Sequence, residues 1–205
     1  ENIKVYFSDN SKEYFDFLII ADGIFSKSKS TILNKSFSPK YNNSIAIRAK
    51  LKECNFENIS IFMGSKSDLP IVKASSDTLK DFGISHKMFI LSAHRTPEEV
   101  VKRVKESEAN GVKVFIAAAG MAAHLAGAIA AQTKKPVLGI PLGGGDLDGM
   151  DSLLATVQMP KGVPVATVTI GSHGAINAAI LCAEILSLND KGIENKLSKF
   201  KEIGA

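Results

Sequence analysis

From Ile59 onward the chain alternates short, nearly unbroken apolar runs with longer stretches of helical periodicity. The runs Ile59–Met63, His86–Leu91, Val112–Ala118, Val137–Ile140 and Val165–Ile170 are bounded by Gly, Ser or Pro and read as strands. Helices are predicted at Leu69–Phe82, Pro97–Asn110, Ala122–Gln132, Asp151–Val157 and Ala175–Leu188. Thr96 before Pro97, with Glu99 following, has the form of a capping box, and Gly83 and Gly111 stand where helices close. Strands that are apolar throughout, separated by helices, need cover on both faces. The predicted fold is therefore α/β, a three-layer α/β/α domain around a parallel sheet. Right-handed crossovers and five strands make a flavodoxin-like order the leading topology, with the ligand beyond the carboxyl ends of the strands.

Residues 1–57 break this rhythm. Phe15–Ala21 reads as a strand, Asp22–Gly23 as a turn, and the Lys-, Ser- and Asn-rich stretch Ser26–Asn43 as loop or unstructured chain. At the other end, Asn189–Ile203 alternates Lys and Glu around Ile193, Leu197 and Phe200. That pattern predicts an amphipathic helix packed on the domain or on a neighbour. The division is an N-terminal extension over 1–57, a catalytic-type domain over 58–188 and a terminal helix over 189–205. Length agrees, because one α/β domain of about 150 residues leaves about a quarter of the 205-residue chain outside it.

Composition and charge narrow the partners. With 45% hydrophobic and 22% charged residues, the chain is globular rather than disordered. The net charge of +4 is spread evenly: nine Lys/Arg against seven Asp/Glu in 1–57, and sixteen against fourteen in 58–205. No basic stripe interleaved with aromatics exists, so nucleic acid is not the expected partner. The Ala-rich run Val114–Ala131 is broken by Gly120, His124 and Gly127 and is poor material for a membrane span of about 20 apolar residues. Cys54 and Cys182 have neither metal spacing nor secretory context. Free thiols in a reducing compartment, hence a cytoplasmic protein with Cys182 in the core, are expected. The chain starts at Glu1 rather than Met, so residues upstream are expected to be missing.

The reactive side chains fall at one edge of the predicted sheet. Gly64-Ser65-Lys66-Ser67-Asp68 follows the first strand, Ser92-Ala93-His94-Arg95-Thr96-Pro97 the second, and Ala119-Gly120-Met121-Ala122-Ala123-His124 the third. Pro141 with Gly143-Gly144-Gly145 follows the fourth, and Gly171-Ser172-His173-Gly174 the fifth. The first loop offers hydroxyls and N–H groups at a helix N-terminus, a natural phosphate cradle, with Asp68 suited to ribose hydroxyls. Read alone, Ser67 or Asp68 equally serves as a helix cap. Arg95 offers a fixed cation of bidentate geometry, or a plain surface ion pair. His94 could carry protons near neutrality or merely be a solvated or capping histidine, while His124 and His173 are ambiguous. Three single histidines on separate loops do not fix a metal geometry, and His86 lies at the opposite end. Neither a Walker sequence nor GxGxxG follows the first strand, and no Asp ends the third.

From about Asn58 to Leu188 these motifs resemble the PurE family of purine biosynthesis. The resemblance rests on GSKSD (Gly64–Asp68), SAHRTP (Ser92–Pro97), AAHL (Ala122–Leu125), DSLLATVQMPKGVPVATVTIG (Asp151–Gly171) and GAINAAILCAEIL (Gly174–Leu186). It implies an isomerase acting on N5-carboxyaminoimidazole ribonucleotide, which loses CO2 in a closed site and regains it at C4, with His94 as catalytic proton shuttle. It also implies nucleotide binding through Ser65, Ser67, Asp68, Ser92 and Arg95, a substrate ring lying against Gly120, Ala122, His124 and Leu125, no metal or organic cofactor, and a homo-octamer with sites at subunit contacts. Three departures bear on pocket shape: Gly120-Met121 where the family has Gly-Gly, Ala126 in place of Pro, and Gly143–Asp146 in place of a Ser/Ala-rich loop. Direct carboxylation of aminoimidazole ribonucleotide by CO2, and a non-catalytic flavodoxin-like module holding a nucleotide or flavin, are the competing readings.

The leading segment resembles another family. Asp16–Ala49, with IIADGIFSKSKS and YNNSIAIRA, is similar to a piece of a flavin-dependent hydroxylase of the ubiquinone pathway around its ADG-x-x-S motif. In that family Asp22 and Gly23 would lie near the flavin. No flavin-binding glycines precede them, so the fragment is not expected to hold one, and a fused or joined segment ahead of an enzyme starting near Asn58 is expected.

Overall fold

The computed structural model describes residues 3–6, 12–15 and 57–203. The chain separates into two compact units, 1–53 and 54–205. In the first, β1 (Ile3–Tyr6) and β2 (Lys12–Phe15) pair antiparallel, with Ile3 opposite Phe15 and Tyr6 opposite Lys12. Phe15, the first residue of the expected strand Phe15–Ala21, ends β2, and the β1–β2 pairing itself is not among the expectations. The signal was present in the period-two alternation of Ile3-Lys4-Val5-Tyr6 and the turn-type Asp9-Asn10-Ser11. Residues 16–21, Asp22–Gly23, Ser26–Asn43 and Cys54 lie outside the described residues.

The second unit is a five-stranded sheet in the order β4-β3-β5-β6-β7, parallel throughout. Its elements are β3 (Ile59–Met63), a 3-10 turn (Lys66–Asp68), α1 (Leu69–Asp81), β4 (His86–Ile90), α2 (Pro97–Ala109), β5 (Val114–Gly120) and α3 (Leu125–Ala130). They continue with β6 (Val137–Leu142), α4 (Met150–Val157), β7 (Ala166–Thr167), α5 (Ser172–Ser187) and α6 (Lys191–Glu202). This is the flavodoxin-like order that the alternation of apolar runs and helices predicts.

Pleating sorts each strand between two cores. Ile59, Ile61 and Met63 of β3, with Ile116 and Ile140, face α1 and α5. Phe62, with Phe115 and Ala117, faces α2 and α3 through Val100, Val104, Leu125 and Ile129. All five β3 residues are buried, Ser60 included, whose hydroxyl donates to Ser107 at 2.9 Å. Each fully buried apolar side chain contributes about 1.5–3 kcal/mol, so this strand outweighs any local preference of the segment. Both helix ends anticipated from glycine close as Schellman motifs: Gly83 (φ 71°) and Ile84 donate to Lys80 and Leu79, and Gly111 (φ 91°) and Val112 to Glu108 and Ser107. The terminal helix packs on its own domain, with Phe200 edge-on to Phe82 at 5.5 Å and Lys196 Nζ donating to the Phe82 carbonyl at 2.9 Å.

Three elements differ from expectation by three residues at one end. The run Val165–Ile170 yields only a two-residue strand, because Pro141 of β6 accepts from Gly171 at 2.9 Å but has no N–H to return on that side. Helix α3 starts at Leu125 rather than Ala122, since the preceding residues form a tight turn. Helix α5 starts three residues before the expected Ala175, at Ser172, and so absorbs His173 into its first turn.

That early start seats Gly174 against the backbone of the preceding segment, where a Cβ would overlap the Thr169 carbonyl. Gly174→Ala should therefore destabilise the domain by about 3 kcal/mol or more, as overpacking against backbone does. Urea unfolding of the two proteins checks this; a loss under about 1 kcal/mol would contradict it.

Candidate active site

The parallel register ends three strands at one level. Met63 stands opposite Ile90 on one side and Ala118 on the other, so the loops leaving β3, β4 and β5 emerge side by side. Together with Gly143 and Gly144 after β6 they line a cleft of about 550 Å³ at the carboxyl edge of the sheet. Ser65, Ser67, Asp68, Ser92, His94, Arg95, Gly120, Ala122, His124 and Leu125 all line it. His173, in the first turn of α5, does not. His86, at the opposite edge, is tied to Ser76 Oγ and the Ile84 carbonyl at 2.7 and 3.0 Å.

The first loop is held from within. Ser65 caps the 3-10 turn: its N–H donates to Asp68 Oδ2 at 2.9 Å, and its Oγ accepts from the Ser67 hydroxyl at 2.8 Å. Asp68 stands at the N-cap of α1 without a side-chain bond to that helix. Capping is thus shared on the shorter turn between Ser65 and Asp68, which form a capping box, and the hydroxyls and carboxylate are gathered at the cleft.

The second loop is built differently from its sequence signature. Thr96 makes no capping bond to α2; its hydroxyl donates to the Ser92 carbonyl at 3.1 Å and accepts from the Ser92 N–H at 3.1 Å. The capping box predicted from Thr96 and Glu99 is thus absent. A turn closed on Ser92 replaces it, with Ser92 Oγ accepting from the N–H groups of His94 and Arg95 at 3.3 Å each. The turn throws His94 and Arg95 toward the neighbouring loops. Arg95 donates through Nη2 to the Gly64 carbonyl at 2.7 Å, which fastens the second loop to the first. One of five guanidinium N–H donors is used there, and the group remains exposed at the cleft.

His94 Nε2 lies 2.8 Å from His124 Nδ1, with the rings edge to face at 4.9 Å. Such a bond needs a proton on one nitrogen and a lone pair on the other, so the tautomers of the two rings are coupled. Sequence motifs placed both residues in one region; their contact across 30 positions is a product of the sheet. Met121, Gly143 and Gly144 also line the cleft, where the sequence shows only departures from a family pattern. Among the described residues no three of His, Cys, Asp and Glu converge at metal-binding range.

This is an α/β domain of flavodoxin-like order with a cation-bearing cleft at its carboxyl edge, the place where open α/β sheets of enzymes hold a small ligand. The AIR carboxylase family model matches residues 58–204, and the chain belongs to that family. It is 49% identical over 144 residues to the N5-carboxyaminoimidazole ribonucleotide mutase of Pyrococcus abyssi, covering 70% of this chain and 82% of the relative. The mutase of Escherichia coli strain K12 is 43% identical over 148 residues, covering 72% and 88%. Among solved structures, Treponema denticola PurE superposes with a TM-score of 0.65 at 34% identity, over 70% of this chain and 89% of that one.

Burial raises the Asp68 pKa above its ordinary 3.8, against the lowering pull of the Ser65 N–H, the Ser67 hydroxyl and the nearby Arg95 charge. A raised acid pKa means that the fold disfavours the ionised form: the cost is absent below pH 3.8 and grows as pH rises through the folded pKa. Carboxyl titration of Asp68 by NMR should place its midpoint above 3.8, and a midpoint at or below that value contradicts this desolvation.

Proposed function

We propose that this chain converts N5-carboxyaminoimidazole ribonucleotide to 4-carboxyaminoimidazole ribonucleotide in purine biosynthesis, by releasing CO2 and recapturing it within the cleft. The observation that carries the reading is the short His94–His124 bond beside Arg95 and the Ser65–Asp68 turn in one cleft. The names of the 43–49% identical relatives support the same chemistry.

In this reading Arg95 pairs with the phosphate, assisted by Ser65, Ser67 and Ser92, and Asp68 accepts from the ribose hydroxyls. The aminoimidazole lies along Gly120 and Ala122, over Leu125. The N5–carboxyl bond breaks, its electron pair returns to N5, and His94 supplies the proton that N5 takes up as CO2 leaves. C4, electron-rich as an enamine carbon, then attacks CO2, and the tetrahedral C4 returns its proton to His94. One proton goes out and comes back, so no net acid, base or redox equivalent is consumed. His124 holds the His94 ring in the orientation that faces the substrate.

Residues 1–57 stand outside this machinery, and 58–188 with the terminal helix 189–205 carry it. The protein assembles as a homo-oligomer, an octamer on the family pattern. Leu147, Met150, Leu154 and Val157 support that reading, because they repeat along one face on and just before α4 and are 50–63% exposed. Its place is the cytoplasm; among the described residues no helix is long and apolar enough to cross a membrane.

Purified protein given N5-carboxyaminoimidazole ribonucleotide without added bicarbonate should form the 4-carboxy isomer. Turnover only from aminoimidazole ribonucleotide plus bicarbonate would establish the direct carboxylase instead. His94→Asn should lower kcat by about 10²–10⁴-fold, the usual worth of a proton carrier. Arg95→Ala should raise KM by the equivalent of about 1.5–3 kcal/mol, the worth of a charged hydrogen bond. A His94→Asn protein of full activity would remove the assigned proton carrier. A chain starting at Asn58 should keep both turnover and, by light scattering, its oligomeric mass; loss of either would give residues 1–57 a role.

A further inference from the structure

Met121 occupies a backbone conformation that L side chains avoid. Its φ is 54°, one of two non-glycine residues with positive φ among the described residues. The conformation itself is accounted for: the chain leaves β5 at Gly120 and reverses at once, with Ala123 N–H donating to the Met121 carbonyl and His124 N–H to the Ala122 carbonyl, both at 2.8 Å. Glycine would make this turn without steric penalty. The turn thus explains the φ but not the methionine.

The side chain supplies the missing reason. It lines the cleft, is 61% exposed, and reaches across to the loop after β6, where its Cγ and Cε lie 3.5 and 3.9 Å from the position a Cβ would take on Gly145. That loop is shaped to receive it. Gly143, Gly144 and Gly145 present no side chains, and φ is 141° at Gly144 and 69° at Gly145. An unbranched, polarizable thioether therefore lies at the cleft against the glycine loop that follows β6, largely exposed to solvent. Strain of this kind at a ligand cleft persists where the side chain has a task.

We propose that Met121 is a substrate-contacting residue, an apolar lip over the cleft that folds onto the reacting ring and keeps released CO2 from water. The inference rests on the CO2-releasing mechanism argued above. Flexibility suits a methionine to this task, because it can lie against Gly145 in the open cleft and pack on a flat ring in the closed one. Escape of CO2 competes with its capture at C4, so an apolar side chain that excludes water alters how the intermediate partitions.

The test uses the full chain and substrate with an isotopically labelled carboxylate, in unlabelled bicarbonate with carbonic anhydrase present to equilibrate any CO2 that escapes. The native protein should deliver most of the label to the 4-carboxy product. Met121→Gly and Met121→Ala should each raise the ratio of lost to retained label by about fivefold, the factor carried by a partly buried apolar side chain of this size. Met121→Leu should stay near the native ratio. Met121→Gly should also unfold at a temperature no lower than the native protein, because glycine relieves the φ of 54°. Equal label retention in the native, glycine and alanine proteins would overturn the proposal. Failure of the underlying reading would look different, since the native protein itself would then leave the substrate unconverted.

Discussion

The level at which the parallel strands end governs the rest of this molecule. β3 is flanked by β4 and β5 in a register that sets Met63 against both Ile90 and Ala118. Parallel ladders tolerate no slip here, because a shift by one residue would turn Ile59, Ile61 and Met63 out of one core and Phe62 out of the other. Burial on both faces locks the register. The locked register brings Gly64, Ser92 and Gly120 to one edge within reach of each other.

On that edge, short polar contacts do what packing cannot. The bond from Arg95 to the Gly64 carbonyl joins two loops that are 31 residues apart, and the Ser65–Asp68 turn holds its hydroxyls without calling on the helix behind it. Asp68 bears a desolvation cost in the process. An exposed guanidinium, a partly desolvated carboxylate and two coupled imidazoles in one cleft are poor contributors to stability. They stand together at one cleft, held in place by the two cores beneath it.

Much of this was legible along the chain because its signals are local. Unbroken apolar runs and punctuating glycines mark β3, β5, α1 and α2 to within a residue or two, and Gly83 and Gly111 close their helices as their positions suggest. The misreadings turn on contacts that the composition of each segment does not announce. Thr96 looks like a helix cap until Ser92 takes its hydroxyl. The run Val165–Ile170 looks like a full strand until Pro141 of β6 denies it a donor. His173, ambiguous in the sequence, is drawn into the first turn of α5 by that helix's early start.

The sequence by itself determined the layer architecture, the parallel sense of the sheet and the edge where chemistry would collect, because hydrophobic period and loop composition are properties of neighbouring residues. It also marked every polar side chain of the motif loops that lines the cleft, while Met121 appeared only as an odd residue in a glycine position. Tertiary structure alone decided which of the loop histidines meet, which serine shapes each turn and where Met121 reaches. The histidine contact and the reach of Met121 depend on distances across 24 to 30 positions of chain, and only the register of a sheet buried on both faces sets such distances.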